Sequence, residues 1–282
     1  MTALSERSEA LAPGWKAELR LSYAKAGQRT ILAHRAHSGP LLVQRAFHPE
    51  GDVCHSYIIH PPGGVVGGDE LRLGVQVEQG AHALLTTPGA TRFYRSGAGR
   101  QATLKQEFAV AANAALEWLP QETILFDGAD ARSCIRVTLE RQSRFIGWDI
   151  VCLGRPESNA PFRRGRAHLD LGVSIGPVLT FLDRMRLGES APESMHASWG
   201  LRGRQALGTL LAWPGDEPMV EAIRSMSTPQ VDCATSLVDG VLHCRAAAAQ
   251  AQGIRNHFVE IWNVIRPRVM QRPAIAPRVW AT

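Results

Sequence analysis

The chain is 282 residues long, 45% of them hydrophobic, with a formal net charge of +5. That length and apolar content allow one large domain, or two smaller ones, with a sizeable core. The basic residues are scattered, Arg163-Arg164-Gly165-Arg166 being the only dense run, and this falls short of the concentrated basic face with stacking aromatics that nucleic acid binding needs.

Residues 1–13 are polar, carry Glu6 and Glu9, and lack the apolar core of a signal peptide. They are expected to form a disordered tail ahead of a single domain over 14–282. Strand-like alternation begins at Gly14 and runs to Tyr23, with Trp15, Ala17, Leu19 and Leu21 against Lys16, Glu18 and Arg20. Arg29 to Ala33 predicts a second strand, and His34 and His37 fall in the loop that Ser38-Gly39-Pro40 closes. Leu41 to Ala46 resumes as a strand, and His48-Pro49-Glu50-Gly51-Asp52 turns the chain.

Next comes His60-Pro-Pro-Gly-Gly-Val-Val-Gly-Gly-Asp69. Its four glycines and two prolines suit neither a helix nor a paired strand. Apolar Tyr57-Ile58-Ile59 precedes it, and Leu71, Leu73, Val75 and Val77 alternate after it. The stretch is therefore a shaped loop between two strands. It is no P-loop, because Asp69-Glu70 and a strand stand where a lysine, a hydroxyl and a helix are required.

Short strands continue over Ala83–Thr87, Ala102–Val110, Ala114–Trp118, Ile124–Phe126, Ile135–Leu139 and Leu169–Ile175. Turn signals at Pro88-Gly89, Ser96–Gly99, Pro120 and Asp127-Gly128 separate several of them. Phe145 to Cys152 is more continuously apolar and reads as a central strand. This succession predicts an all-β sandwich, barrel or stacked β-helix. No exact internal repeat is visible, so the sequence does not support a regular solenoid.

The last quarter changes character. Asp216-Glu217-Pro218 opens a helix whose Met219, Val220, Ile223 and Met226 share a face. Val231–Val238 and Val241–Arg245 flank Asp239-Gly240, a hairpin signal. Ala246 to Ile265 predicts a longer helix with Ile254, Phe258, Ile261, Trp262 and Ile265 as its stripe, ended by Arg266-Pro267. An extended tail follows, with Trp280 as an anchor. The expected fold is mainly β, a stacked-strand (β-helix-like or sandwich) domain with two helices in the C-terminal quarter.

Catalytic patterns are weak. Gly172-Val-Ser174-Ile-Gly176 matches a nucleophile elbow, but Ser174 lies within an alternating strand and not at a strand-to-helix turn. A hydrolase using Ser174 is thus the rival reading, with a β-rich binding scaffold as another. The five cysteines form no Cys-x-x-Cys, which points to reduced thiols and a cytoplasmic setting. No apolar run is long enough to span a membrane. The carboxylates Asp69, Glu117, Glu122, Asp127 and Asp149 stand beside apolar residues. Buried, they need a partner, a hydrogen bond or a metal; otherwise they cap turns or face solvent. Oxygen and imidazole groups suit passing a divalent ion on without trapping it.

Taken together, the motifs resemble the urease accessory protein UreD (UreH) family. The residues that carry the resemblance include Gly39-Pro40-Leu41, His48–Gly51, His60–Asp69, Leu85–Ala90, Phe93–Ser96 and Leu116–Ile124. Phe126–Ala129, Gly147–Ile150, Cys152–Pro156, Trp262, Arg266-Pro267 and Pro277–Trp280 continue it in order. One departure is Ala46-Phe47-His48, where a proline and aromatics are expected. The resemblance implies a non-enzymatic, cytoplasmic chaperone of nickel delivery that joins UreF and the GTPase UreG on apo-urease, with no tightly bound cofactor. It also implies an internal nickel path, for which Asp69, Glu117, Asp149 and His60 are the candidate contacts. The C-terminal helix and tail are expected to contribute to UreF binding.

Overall fold

The computed structural model describes residues 14–226 and 228–281; the predicted N-terminal tail lies outside them. Among the described residues, eighteen strands form two sheets. The early strands are β1 (Lys16–Ala26), β2 (Arg29–Ser38), β3 (Leu42–Val43) and β4 (Cys54–Ile59). The middle ones are β5 (Glu70–Val77), β6 (His82–Thr86), β7 (Thr91–Phe93), β8 (Ala102–Val110), β9 (Ala115–Trp118) and β10 (Thr123–Leu125). After them come β11 (Ala129–Leu139), β12 (Arg144–Arg155), β13 (Ala160–Pro161), β14 (Gly165–Ile175), β15 (Val178–Gly188), β16 (Ala206–Trp213), β17 (Val231–Val238) and β18 (Val241–Ala248). The helices are α1 (Pro192–His196), α2 (Glu217–Arg224) and α3 (Ala251–Val269).

From β5 to β14 the chain alternates between the sheets. β5, β8, β11 and β14 pair in parallel in one; β4, β6, β9 and β12 do so in the other. The short β7 and β10 stack beside β12 as a third strip. Each pass around is one coil of a solenoid. Leu71, Leu104, Ser133 and Leu169 stand in register on successive coils. They fall at unequal intervals along the chain, so the coils leave no repeat in the sequence. Antiparallel strands close the ends: β2 beside β1, β15 beside β14, and β16, β18 and β17 beyond β12.

One hydrophobic core fills the space between the sheets, with Leu19, Leu73, Val75, Phe108, Leu116, Val137 and Phe145. A second lies behind the other sheet, where Ile146, Trp148, Ile150 and Leu210 meet Val220 of α2 and Ile254, Phe258, Ile261 and Trp262 of α3. That sheet is buried on both faces, which is why Phe145–Cys152 is apolar without alternation.

Several expectations shift by a few residues. β2 continues to Ser38, so His34 and His37 are strand residues and not loop residues. Of Leu41–Ala46 only Leu42–Val43 pairs as a strand. Ala246–Ala248 complete β18, and α3 begins at Ala251. Pro267 does not end α3, which runs to Val269; a proline costs a helix only the bond its own nitrogen would have donated and some steric room. The short α1 carries no apolar stripe that could announce it. Asp216 does open α2, its carboxylate accepting from Met219 N at 2.8 Å. Trp280 anchors the tail against Trp148 and Trp262, with ring centroids 5.7 and 5.6 Å away.

Candidate functional site: a cavity between the sheets

Between the two sheets lies a cavity of about 290 Å³. Leu71 and Leu73 of β5 and Leu104 and Gln106 of β8 form one wall; Trp118, Thr123 and Asp149 line the other. The glycine-rich loop contributes His60, Pro61, Gly63 and Gly64.

Close backbone approach explains the loop's glycines. A Cβ on Gly64 would sit 2.1 Å from the Tyr94 ring, and one on Gly67 would sit 2.8 Å from the Arg100 carbonyl oxygen. Gly68 takes φ +97°, open to few other residues. Asp69 then fixes the shape. Its Oδ1 accepts from Trp15 N at 2.8 Å and its Oδ2 from Val66 N at 2.9 Å. The loop is thereby closed on itself and tied to the first strand.

Asp149 is the unusual group. It lies on β12 opposite Thr209, and its neighbours Trp148 and Ile150 face the helices, so it faces the solenoid interior. Among the described residues its carboxylate has no hydrogen-bond or ion-pair partner. It is surrounded by protein yet keeps accessible surface, because that surface is cavity wall. It also lines a second, smaller cavity of about 30 Å³ together with Asp170 and Asp183, room for about one water molecule. Burial pushes its carboxyl up to about 6. Nearby, burial lowers the His60 imidazole pKa against the opposing pull of Asp69, which favours the neutral ring that can donate a lone pair. Among the described residues Trp118 also leaves its buried indole nitrogen without a partner.

Glu117 belongs to a different site. It lies on the opposite face of the same sheet, completely buried, under α3. His82 Nε2 stands 2.9 Å from its Oε1, and Trp262 Nε1 donates to Oε2 at 2.7 Å. Arg266 donates from Nε and Nη2 to the same carboxylate, each at 2.9 Å. Arg266 Nη2 also reaches Glu50 Oε1 at 2.8 Å, which in turn lies 2.7 Å from His55 Nε2. Arg272 holds Asp52 with two bonds of 2.9 Å. Burial alone would raise the Glu117 pKa, but His82 and Arg266 outweigh it and hold the carboxyl at about 2.

The structure thus brings His60 and Asp149 to one cavity, with Asp69 shaping the adjoining loop and Glu117 locking α3 behind the sheet. Asp127 caps a turn, accepting from the main-chain nitrogens of Arg163 and Arg164. Ser174 lies within β14 between Thr138 and Leu179, away from any strand-to-helix turn. Sequence reasoning missed Arg266 as the partner of Glu117. The only signal was an arginine directly after an apolar helix stripe; a paired acid follows only once that arginine is known to be buried.

A family model described as "UreD urease accessory protein" matches residues 16–281. A urease accessory protein UreD of Alkalilimnicola ehrlichii is 42% identical over 96% of this chain and 93% of its own length. That of Dechloromonas aromatica is also 42% identical, over 96% of both chains. The Klebsiella aerogenes protein of the same name is 37% identical, over 96% of this chain and 98% of its own.

Proposed function

The chain belongs to the UreD family of urease accessory proteins, with a role in urease maturation, and from that premise we propose that it helps deliver nickel to apo-urease. In this reading it acts without catalysis of its own, in the cytoplasm, in a complex with UreF and the GTPase UreG. GTP hydrolysis falls to UreG, and the glycine-rich loop here leads into the strand Glu70–Val77, not into the helix a P-loop needs.

The observation that carries the proposal is Asp149, an unpaired carboxylate on the wall of an internal cavity. Ni²⁺ is cargo here, not a resident cofactor. One carboxylate with one imidazole is fewer than the three or four protein ligands of a tight site. Such a pair gives an ion a resting point that it can leave. The neutral His60 ring and the ionised form of Asp149 supply the two donors. Asp69 acts indirectly, by holding the loop that frames the cavity, and Glu117 by fixing α3 behind the sheet that carries Asp149.

The test is reconstitution of urease from apo-urease, UreF, UreG, nickel, bicarbonate and GTP, with and without this chain. Urea hydrolysis should depend on the chain, and Asp149→Asn should lower the nickel content of the urease formed. Full activation without the chain would overturn the delivery role. Full nickel content with Asp149→Asn would remove Asp149 from the path.

A further inference from the structure

On the face of the second sheet turned toward α3, two cysteines stand together. Cys233 of β17 lies opposite Ala246, and Cys244 of β18 lies opposite Thr235, so the two are diagonal neighbours on one face. Their Sγ atoms are 3.1 Å apart. That is hydrogen-bond contact between thiols, about 1 Å longer than a disulfide bond. Cys233 is exposed and Cys244 buried. His257 of α3 packs beside Cys233, its Nδ1 2.8 Å from Thr228 Oγ1 and its buried Nε2 without a hydrogen-bond partner among the described residues.

We propose that Cys233 and Cys244 form a reversible redox pair, a dithiol that hydrogen peroxide converts into an intrachain disulfide. The first step is attack of the Cys233 thiolate on a peroxide oxygen. An S–O bond forms, the O–O bond breaks, and hydroxide leaves and is protonated to water. In the second step Cys244 Sγ attacks the sulfenic sulfur. The S–S bond forms, the S–O bond breaks, and the hydroxide takes the Cys244 proton to leave as water. Two thiols are oxidised by two electrons and one peroxide is reduced to two waters. An external dithiol reverses the change by exchange.

The surroundings divide the roles. The hydrogen bond from Cys244 and the neighbouring imidazole lower the Cys233 pKa against the effect of burial, and the same bond raises that of Cys244. The thiolate beside it raises the pKa of His257. Cys233 is therefore the attacking thiolate and Cys244 the resolving thiol. Burial pushes the Cys54 and Cys152 thiols up to about 11, so they compete poorly. Oxidation would pin β17, the outermost strand of its sheet, to β18 and change the charge that α3 meets at His257.

The proposal is independent of nickel delivery and is tested on the full-length protein. After treatment with hydrogen peroxide, the denatured protein is alkylated and mapped by mass spectrometry. A cross-linked pair of peptides carrying Cys233 and Cys244 is expected, with Cys54, Cys134 and Cys152 alkylated, and dithiothreitol should restore both thiols. Cys244→Ala should trap Cys233 as a sulfenic acid that reacts with dimedone. His257→Gln should move the pH midpoint of Cys233 alkylation upward by about one unit, the size of a typical imidazole contribution. Wild-type protein in which Cys233 and Cys244 both remain alkylatable after peroxide would overturn the proposal, as would a cross-link from Cys233 to another cysteine. Because the decisive map uses the wild-type chain, a variant that fails to fold does not rescue it.

Discussion

Glu117 and Asp149 show how two buried carboxylates on neighbouring strands come to do different things. One faces α3 and meets Arg266, Trp262 and His82; the other faces the cavity and meets no partner. Their pKa values separate accordingly, to about 2 and about 6. Removing Glu117 leaves the fully buried Arg266 with Glu50 as its one remaining carboxylate. Glu117→Ala should therefore cost about 3–5 kcal/mol, read as a lower denaturation midpoint. The acid limb tests the sign. A depressed pKa contributes stability above the unfolded value of 4.5 that is lost as pH falls toward 2, so the wild type should lose its advantage over Glu117→Gln across that window. Asp149 runs the other way. Its raised pKa makes the fold less stable as pH climbs from 3.8 to about 6. Asp149→Asn should raise stability by up to about 3 kcal/mol near pH 7 and by almost nothing near pH 3. A melting series over pH on the two proteins checks this. The sequence marks both acids as out of place among apolar neighbours. It does not show which face each takes, because strand parity has meaning only once the register is known.

At the scale of elements, period-two patterns located most of the strands, and Asp216 and Asp239-Gly240 located a helix start and a hairpin turn. The boundaries that moved have local causes. Ala246–Ala248 fit strand or helix equally by pattern, and pairing with β16 and β17 decides for the strand. Pro267 reads as a stop, yet the next residues remain helical while Arg266 is bonded to Glu117, Glu50 and the Pro273 carbonyl oxygen. The glycine loop was legible as shaped, but its reason was not: the atoms that forbid a side chain belong to Tyr94 and Arg100, on a later segment. Those atoms differ in how readily they give way. At Gly67 the nearest is a backbone oxygen at 2.8 Å, whereas nothing lies within 4 Å of a Cβ on Gly89. Gly67→Ala should destabilise by about 1–3 kcal/mol, and Gly89→Ala should be near neutral, as measured by chemical denaturation.

Over the whole molecule, the stacked-strand class is legible in the succession of short strands, but no repeat marks its coils because they are unequal in length, while the sheet buried on two faces is announced by the continuous apolar run of β12. The same architecture bears on where the proposed partner UreF would dock. α3 presents Ile254, Phe258, Ile261, Trp262 and Ile265 inward, leaving Val264 and, in the tail, Ile275 exposed at 40% each. Truncation after Ile265 is a poor probe of that surface, since it also deletes Arg266 and leaves Glu117 buried without its cation. Lost binding would then report lost folding. Val264→Glu changes only the outward face, where a surface substitution shifts stability by about 0.5 kcal/mol or less. With the C-terminal surface as the UreF contact, Val264→Glu and Ile275→Glu should melt as the wild type does and capture UreF less well. Unimpaired capture by the doubly substituted protein, with its melting unchanged, would move the interface away from α3 and the tail.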